Sequence, residues 1–236
     1  MTTALEIRQL SRRYGPVQAL DDLSLTLEAG RIVALFGENG SGKTTLLKIV
    51  AGLLAEYAGQ VLVHGEPPGP ATKAMVSFLP DESFLPGGVT AQGAVAMFAD
   101  FFADFDAGRA IALIDDFGID RRRALKTLSK GQREKVQLAL AMSRRARVYL
   151  LDEPISGVDP AARETILTTI LSQYDPAALV VISTHLIADI EPVADAAVFL
   201  RAGRVLLAGD ADDLRAEHGM SLDRLFRTAY QTPVRS

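Results

Sequence analysis

The sequence predicts an α/β fold with a mostly parallel sheet, an antiparallel β subdomain and an inserted helical subdomain. Short apolar segments of strand length alternate with helical segments in the first part of the chain and again after residue 147, which indicates an α/β core. Between about Thr90 and Ala146 the pattern is helical, which indicates the insertion. A chain of 236 residues is long enough to bury one large core.

The first strands are predicted between residues 4 and 36. Leu23, Leu25 and Leu27 alternate with polar residues, which is typical of a half-buried strand. Further strands are predicted at residues 32–36, 60–64 and 75–79, from their continuous or alternating apolar residues.

The segment from Phe84 to Phe117 contains six of the ten phenylalanines. Apolar residues recur there at three- and four-residue steps, which predicts helices. We expect a helical subdomain at about residues 82–146 with a small core of its own, to which most of these phenylalanines contribute.

Alternating strands and helices resume after the helical segment. The predicted elements are a strand at 148–151, a helix at 161–174, a strand at 179–183 and a hairpin formed by 197–200 and 204–208. A C-terminal helical tail is predicted at about 210–236, and one face of its closing helix carries Leu222, Leu225, Phe226 and Tyr230.

A phosphate-binding loop is predicted between the strand at 32–36 and a helix at 45–51. It matches the pattern G-x-x-x-x-G-K-[ST], and its residues are Gly37, Glu38, Asn39, Gly40, Ser41, Gly42, Lys43 and Thr44, followed by Thr45 in the helix. Glycines let successive backbone N–H groups surround phosphate oxygens, and the helix N-terminus adds a favourable dipole. Lys43 is expected to reach the β- and γ-phosphates, and the Thr44 hydroxyl to bind Mg²⁺. The motif predicts a site for a nucleoside triphosphate.

Composition narrows the class of protein. Asn39 is the only asparagine, so the N-K-x-D signature that reads guanine cannot be formed and ATP is the expected nucleotide. The formal charge of −4 argues against non-specific nucleic-acid binding, and no nucleic acid is expected as a partner. Disulfides and thiolate metal sites are excluded because the chain has no cysteine. No apolar run reaches the roughly 18 residues that span a bilayer.

Two acidic residues, Asp152 and Glu153, end the apolar strand predicted at 148–151. The C-terminal ends of strands in an open α/β sheet are where such folds place their ligand chemistry. Asp152 is expected to hold Mg²⁺ directly or through water. Glu153 is predicted to point to the opposite side of the strand and to orient or deprotonate an attacking water.

Residues Ser129 and Gln132 satisfy the capping-box pattern at the start of a helix predicted at 133–144. That structural interpretation is sufficient for the helix by itself. A capped helix start after a turn of small residues, here with Gly131, is also a potential anion site.

With these motifs in this order, the chain resembles the ATP-binding subunit of an ATP-binding-cassette (ABC) transporter of the exporter-like bacterial branch, from Leu5 to about Ala208. The family signature L-S-G-G-Q corresponds to residues 128–132. The resemblance implies that Tyr14 stacks on adenine, although a lone tyrosine is otherwise an ordinary surface or core residue. It implies that residues 156–159 contact a partner subunit and that His185 contacts the γ-phosphate. The fold it implies is a P-loop NTPase core, and the whole chain, 1–236, is expected to form one ABC ATPase domain.

The sequence departs from the family pattern at two positions. Asp81 stands where the family usually has glutamine, and it remains a candidate Mg²⁺ ligand. Lys130 replaces the first glycine of the signature, which removes backbone freedom but adds positive charge. Both departures leave the ATPase interpretation in place.

The resemblance implies a dimer in which each ATP lies between the phosphate loop of one subunit and residues 129–132 of the other. We expect a homodimer, or a heterodimer with a related subunit, and a separate transmembrane permease that contacts the phenylalanine-rich segment.

The expected location is cytoplasmic, peripheral on the inner face of the cell membrane. The predicted function is ATP hydrolysis, with Mg²⁺, driving export of an unidentified substrate. The alternative is a soluble ABC ATPase in iron–sulfur cofactor assembly. The presence of both Lys43 and Glu153 disfavours a non-catalytic nucleotide sensor.

Overall fold

The computed structural model describes residues 2–156 and 158–231. In this part of the chain the strands are β1 (Thr3–Tyr14), β2 (Val17–Glu28), β3 (Ile32–Phe36), β4 (Ala58–Val63), β5 (Val76–Leu79), β6 (Val148–Asp152), β7 (Leu179–Thr184), β8 (Ala196–Arg201) and β9 (Arg204–Asp210). The α-helices are α1 (Lys43–Val50), α2 (Pro70–Lys73), α3 (Ala91–Phe101), α4 (Ala107–Asp116), α5 (Lys130–Met142), α6 (Pro160–Gln173), α7 (Ile187–Ile190), α8 (Ala211–His218) and α9 (Leu222–Gln231). A 3-10 turn at Leu125–Thr127 precedes α5.

The larger sheet has six strands in the order β5-β6-β7-β3-β8-β9. Neighbours from β5 to β8 pair in parallel, and the β8–β9 hairpin adds one antiparallel strand. Strands β3, β6 and β7 are buried along their whole length, as expected for parallel strands covered on both faces. The mostly parallel α/β core is therefore confirmed.

The smaller sheet is antiparallel, with the order β2-β1-β4. Its buried residues, such as Leu5 and Leu27, share one apolar cluster with Val33 of β3 and with Leu46 and Leu47 of α1. This packing holds the antiparallel sheet against the helix that follows the phosphate loop. The predicted antiparallel β subdomain is confirmed.

A helical insertion lies between β5 and β6 in sequence and has its own apolar cluster, formed by residues of α3, α4 and α5. Each helix begins at a side-chain N-cap: Thr90 accepts from Gly93 N, Asp106 from Arg109 N and Ser129 from Gln132 N. The inserted helices of the predicted fold class are confirmed.

The expectation that most phenylalanines of this insertion form its core was wrong. None of the six is among the buried residues of the helical cluster, and Phe84 and Phe101 are 42% and 78% exposed. Phe98, Phe105 and Phe117 pack on that cluster as partly buried side chains. Alanine, valine, leucine and isoleucine side chains fill its centre.

The C-terminal tail consists of α8 and α9, and residues 232–236 of the predicted tail lie outside the described residues. The predicted apolar face of α9 packs inward: Leu222 and Leu225 are buried in the main core and Phe226 lies against it. Across the two described ranges, none of the helices is long and apolar enough to cross a membrane.

Candidate nucleotide site

The loop of residues 37–42 joins β3 to α1 and requires glycine at two places. A Cβ on Gly37 would lie 2.4 Å from Ser41 Oγ and 2.6 Å from Leu200 O. Gly42 has φ +108°, and a Cβ there would lie 2.5 Å from Ala19 O. Gly42 is also the N-cap of α1 and provides no side-chain acceptor for the first N–H groups. Those N–H groups, with the positive end of the helix dipole, suit an anion.

Lys43 is buried, and its Nζ donates to Gly37 O at 2.7 Å and Glu38 O at 3.3 Å. The same Nζ lies 3.4 Å from Glu153 Oε1. The ammonium group is thus held inside the curve of the loop by two carbonyl oxygens and one carboxylate.

Asp152, the last residue of β6, is buried, and its Oδ1 accepts from Ser183 Oγ at 2.5 Å. Its Oδ2 is buried without a hydrogen-bond partner, as is Ser41 Oγ. Buried polar oxygens normally have a partner, so these two atoms suit a further ligand at this site. The role of Ser183 was not predicted from the sequence, although two hydroxyl residues, Ser183 and Thr184, end a strand that is otherwise apolar and buried.

These oxygens fit Mg²⁺, which prefers carboxylate, hydroxyl and phosphate oxygens and uses few protein ligands. Asp152 Oδ2 and the exposed Thr44 hydroxyl supply such groups from two neighbouring elements. In the described ranges no three histidine or acidic residues are arranged to hold a metal by themselves.

Glu153 lies just after β6 and has φ +49°, a left-handed conformation that is rare outside glycine. The strand ends at Asp152, so Glu153 lies beyond the alternation from which its direction was predicted. Its side chain is 10% exposed, with Oε1 facing Lys43 and Oε2 lying 3.0 Å from His185 Nδ1. In the tautomer with a proton on Nδ1, His185 donates to this carboxylate. Lys43, Glu153 and His185 therefore meet at the C-terminal edge of the parallel strands.

Asp81 lies in the exposed loop after β5. Partial desolvation by the surrounding protein raises the pKa of Asp81, and the charges of Asp152 and Glu153 raise it further. Lys130 acts in the opposite direction on that pKa. The two departures from the family pattern are thus close enough to interact within one chain.

The capping box of α5 is present as predicted: Gln132 N donates to Ser129 Oγ at 3.2 Å, and Ser129 N to Gln132 Oε1 at 3.0 Å. Lys130 is 70% exposed and lies 3.6 Å from Glu134 Oε1. Within the two described ranges, no hydrogen bond or ion pair joins residues 129–132 to the phosphate loop. Gly131 is on α5 beside Val158.

Two further expected contacts lie at the edges of the site. Tyr14 ends β1, is 43% exposed, and has the Arg12 guanidinium 4.6 Å from its ring centroid. In the segment 156–159, Ser156 Oγ donates to Glu153 O at 3.1 Å and Asp159 caps α6, while Gly157 lies outside the described residues. The structure thus links this segment to Glu153 through Ser156.

The sequence and fold of the chain are similar to those of known proteins of one family. The family model described as ABC transporter matches residues 20–156. An ABC transporter ATP-binding protein of Halobacterium salinarum is 35% identical over 222 residues, covering 89% of this chain and 95% of that protein. A solved structure of the ATP-binding subunit of an ABC transporter is 30% identical, with a TM-score of 0.85, covering 97% of this chain and all of that one.

Relatives with named roles differ from one another. An Fe(3+) ions import ATP-binding protein of Serratia marcescens is 32% identical over 222 residues, covering 90% of this chain and 64% of that protein. A daunorubicin resistance ATP-binding protein of Streptomyces coeruleorubidus is 29% identical over 238 residues, covering 97% of this chain and 75% of that protein. Similarity alone therefore does not distinguish an importer from an exporter.

Proposed function

The chain belongs to the ABC transporter family as one of its ATP-binding ATPase subunits, and from that premise we propose that it powers an exporter. The observation that carries the catalytic part of the proposal is the meeting of Lys43, Glu153 and His185. A phosphate-binding lysine, a carboxylate and an imidazole there occupy the edge of the sheet where α/β folds bind ligands.

The N–H groups of the loop and of the start of α1 hold the phosphates, and Lys43 neutralises charge on the β- and γ-phosphates. Glu153 accepts a proton from the attacking water or orients it, since its carboxylate is nearly buried and held between Lys43 and His185. His185 positions Glu153 and contacts the γ-phosphate. Tyr14 contributes an aromatic surface for adenine.

Mg²⁺ is the proposed cofactor, and when bound it would neutralise phosphate charge and orient the phosphate groups. Thr44 and Asp152 are the proposed protein ligands, supported by the unpartnered Oδ2 of Asp152. Asp81 is assigned to a water in the outer sphere of Mg²⁺, because it lies in the exposed loop after β5 and the charges of Asp152 and Glu153 add to the rise in its pKa.

A dimer is proposed because the two halves of the expected ATP site do not meet within one chain. Residues 129–132 present a capped helix start with Lys130 70% exposed, so a second subunit can approach it. In a head-to-tail pair, each helix start would face the phosphate loop of the other chain. One such site then needs two copies of this chain, or this chain and a related subunit.

A transmembrane permease is the proposed partner at a groove of about 390 Å³ beside the helical insertion. Leu53, Phe84, Phe98 and Phe102 line it, and Lys48 and Lys73 also contribute to its walls. Leu53 is 56% and Phe84 42% exposed. The apolar lining of this groove suits large apolar side chains of a cytoplasmic permease segment. Its lysines suit carboxylates that flank those side chains. Such docking would place the chain at the inner face of the membrane.

Capture of the permease tests this partner. We expect the tagged full chain, purified in detergent from its own cells, to retain an integral membrane protein. Leu53→Glu should reduce that recovery about tenfold or more, because it buries a charge in an apolar contact. Leu206→Glu, on β9 away from the groove and 43% exposed, is the matched control. Co-purification with iron–sulfur assembly proteins and no membrane protein would instead support the alternative function.

Export is supported by the similarity to a daunorubicin resistance protein and by Asp81 and Glu82, which resemble an exporter-like branch. The test uses cells in which the native gene carries Glu153→Gln. Export predicts that at least one small molecule accumulates inside these cells and declines in the medium, while uptake of radioactive Fe³⁺ stays unchanged. Reduced Fe³⁺ uptake without such accumulation would reverse the assigned direction.

A further inference from the structure

A chain of aromatic rings connects the end of β3 to the C-terminal helix. Phe36 immediately precedes the phosphate loop, and its ring centroid lies 5.5 Å from that of Phe199 on β8. Phe199 lies 5.9 Å from Phe226, which stacks on Tyr230 at 4.0 Å, both on α9. Helix α9 therefore packs through Phe226 on Phe199, which in turn packs on Phe36 of the strand from which the phosphate loop starts.

The β8–β9 hairpin is in direct contact with that loop. Leu200 O lies so close to Gly37 that a Cβ there would be 2.6 Å away. On the other side of the turn, Gly203 N donates to Ser41 O at 2.9 Å. The hairpin thus contacts the loop near both its ends, with Leu200 O directly beside Gly37.

The last turn of α9 holds this same strand. The Tyr230 hydroxyl donates to Leu200 O, and Arg201 Nη1 donates to Ala229 O at 3.1 Å. The Arg201 guanidinium also lies 5.4 Å from the Tyr230 ring centroid. Burial and the Glu38 carboxylate raise the pKa of Tyr230, so the hydroxyl keeps its proton and remains a donor.

We propose that Tyr230 is a positioning residue for ATP, and that docking of α9 and binding of ATP stabilise each other through Leu200 and the phosphate loop. The inference rests on the proposed nucleotide site. A glycine-containing loop binds phosphate well only when its N–H groups are held in place, because ordering it on binding costs conformational entropy. If the docked helix reduces that cost, bound ATP must in turn favour the docked helix by the same free energy.

The first test uses Tyr230→Phe, which keeps the stacked ring and removes the hydroxyl. With the full chain and Mg²⁺, we expect KM for ATP and the Kd of a fluorescent ATP analogue to rise about three- to tenfold, the effect of one lost hydrogen bond. We expect kcat to change less than about twofold. Tyr174→Phe, at the end of α6 away from the loop, is the matched control and should leave all three constants unchanged. Equal constants for the two variants would overturn the proposal.

The second test measures hydrogen exchange in the parent chain, and that measurement alone can contradict the proposal. Amide hydrogen exchange in α9 of the parent chain should slow when ATP and Mg²⁺ are added, and Tyr230→Phe should lose most of that protection. Unchanged exchange in the parent chain would also overturn the linkage. The proposed nucleotide site is checked separately with Lys43→Ala: loss of ATP binding there, with no effect of Tyr230→Phe, would contradict only the role of Tyr230.

Discussion

Lys43 Nζ lies 3.4 Å from Glu153 Oε1, so the phosphate loop and the end of β6 are joined by an ion pair between residues far apart in sequence. The other carboxylate oxygen of Glu153 lies 3.0 Å from His185. One carboxylate thus contacts both the lysine of the phosphate loop and a histidine that directly follows the adjacent strand β7. This arrangement makes Glu153 the residue on which the proposed chemistry depends most.

Glu153→Gln is expected to lower kcat by roughly 10² to 10⁴, the range for loss of a general base. The amide keeps the size and hydrogen-bonding reach of the carboxylate but not its basicity. ATP binding should persist because Lys43, Asp152 and the loop N–H groups are unchanged. Phosphate release and nucleotide binding are the measurements, with Glu164→Gln, exposed on α6, as control. Normal turnover by Glu153→Gln would return the catalytic role to Asp81 or His185.

The same variant tests the proposed dimer. If hydrolysis reopens the dimer, Glu153→Gln should accumulate with ATP as a species of twice the subunit mass in size exclusion with light scattering. If the isolated subunit needs its permease in order to dimerise, the measurement moves to the reconstituted complex. A slow variant that stays monomeric in both preparations with bound ATP would contradict the two-subunit site.

Lys43→Ala should abolish ATP hydrolysis and weaken or remove ATP binding, because the charge that faces the β- and γ-phosphates is lost. It also leaves the buried Glu153 Oε1 without its cation. Lys126→Ala removes an exposed lysine on the helical insertion and serves as the control. Hydrolysis at the parental rate in Lys43→Ala would rule out the assigned site.

Asp81→Gln should keep ATPase activity within roughly tenfold of the parent, or about 1.4 kcal/mol in the barrier. It should also raise Tm near neutral pH. The pKa of Asp81 is raised above its ordinary value of 3.8, first by burial and then by Asp152 and Glu153. The folded chain therefore binds this proton more tightly than the unfolded chain, and the stability that Asp81 contributes falls as pH rises through the raised pKa.

Thermal unfolding between pH 8 and pH 4.5 checks the sign of that effect. The Tm advantage of Asp81→Gln over the parent should shrink as the pH is lowered and Asp81 becomes protonated. Asp100→Gln, exposed on α3, controls for the change in net charge. If the Tm difference between Asp81→Gln and the parent is the same at every pH, repulsion among the acids is not the cause of that difference.

Lys130 and Asp81 should be energetically coupled. Lys130 lowers the pKa of both Asp81 and Glu134, and burial and Asp81 raise that of Glu134. Lys130→Gln should therefore reduce stability more in the parent than in the Asp81→Gln background. A double-mutant cycle on the free energy of unfolding, in low and high salt, measures the difference. Additive effects at low salt would mean that the two departures are independent.

The local features of the protein were determined by sequence alone. The phosphate loop needs glycine where φ is positive, as at Gly42, and the capping box at Ser129 and Gln132 depends only on residues three positions apart. The buried strands and the hairpin at Ala202 and Gly203 were likewise predictable, because apolar periodicity and turn residues act over a few positions.

The tertiary structure decided which distant groups meet. The order β6-β7-β3 places Asp152 against Ser183, and Glu153 between His185 and Lys43. The left-handed backbone of Glu153 depends on this packing, because a non-glycine residue adopts it only when its surroundings over-determine it. The exposure of Phe84 and Phe101 and the bond from Tyr230 to Leu200 depend in the same way on how helices pack. Such contacts join residues far apart in the chain, and no local pattern specifies them.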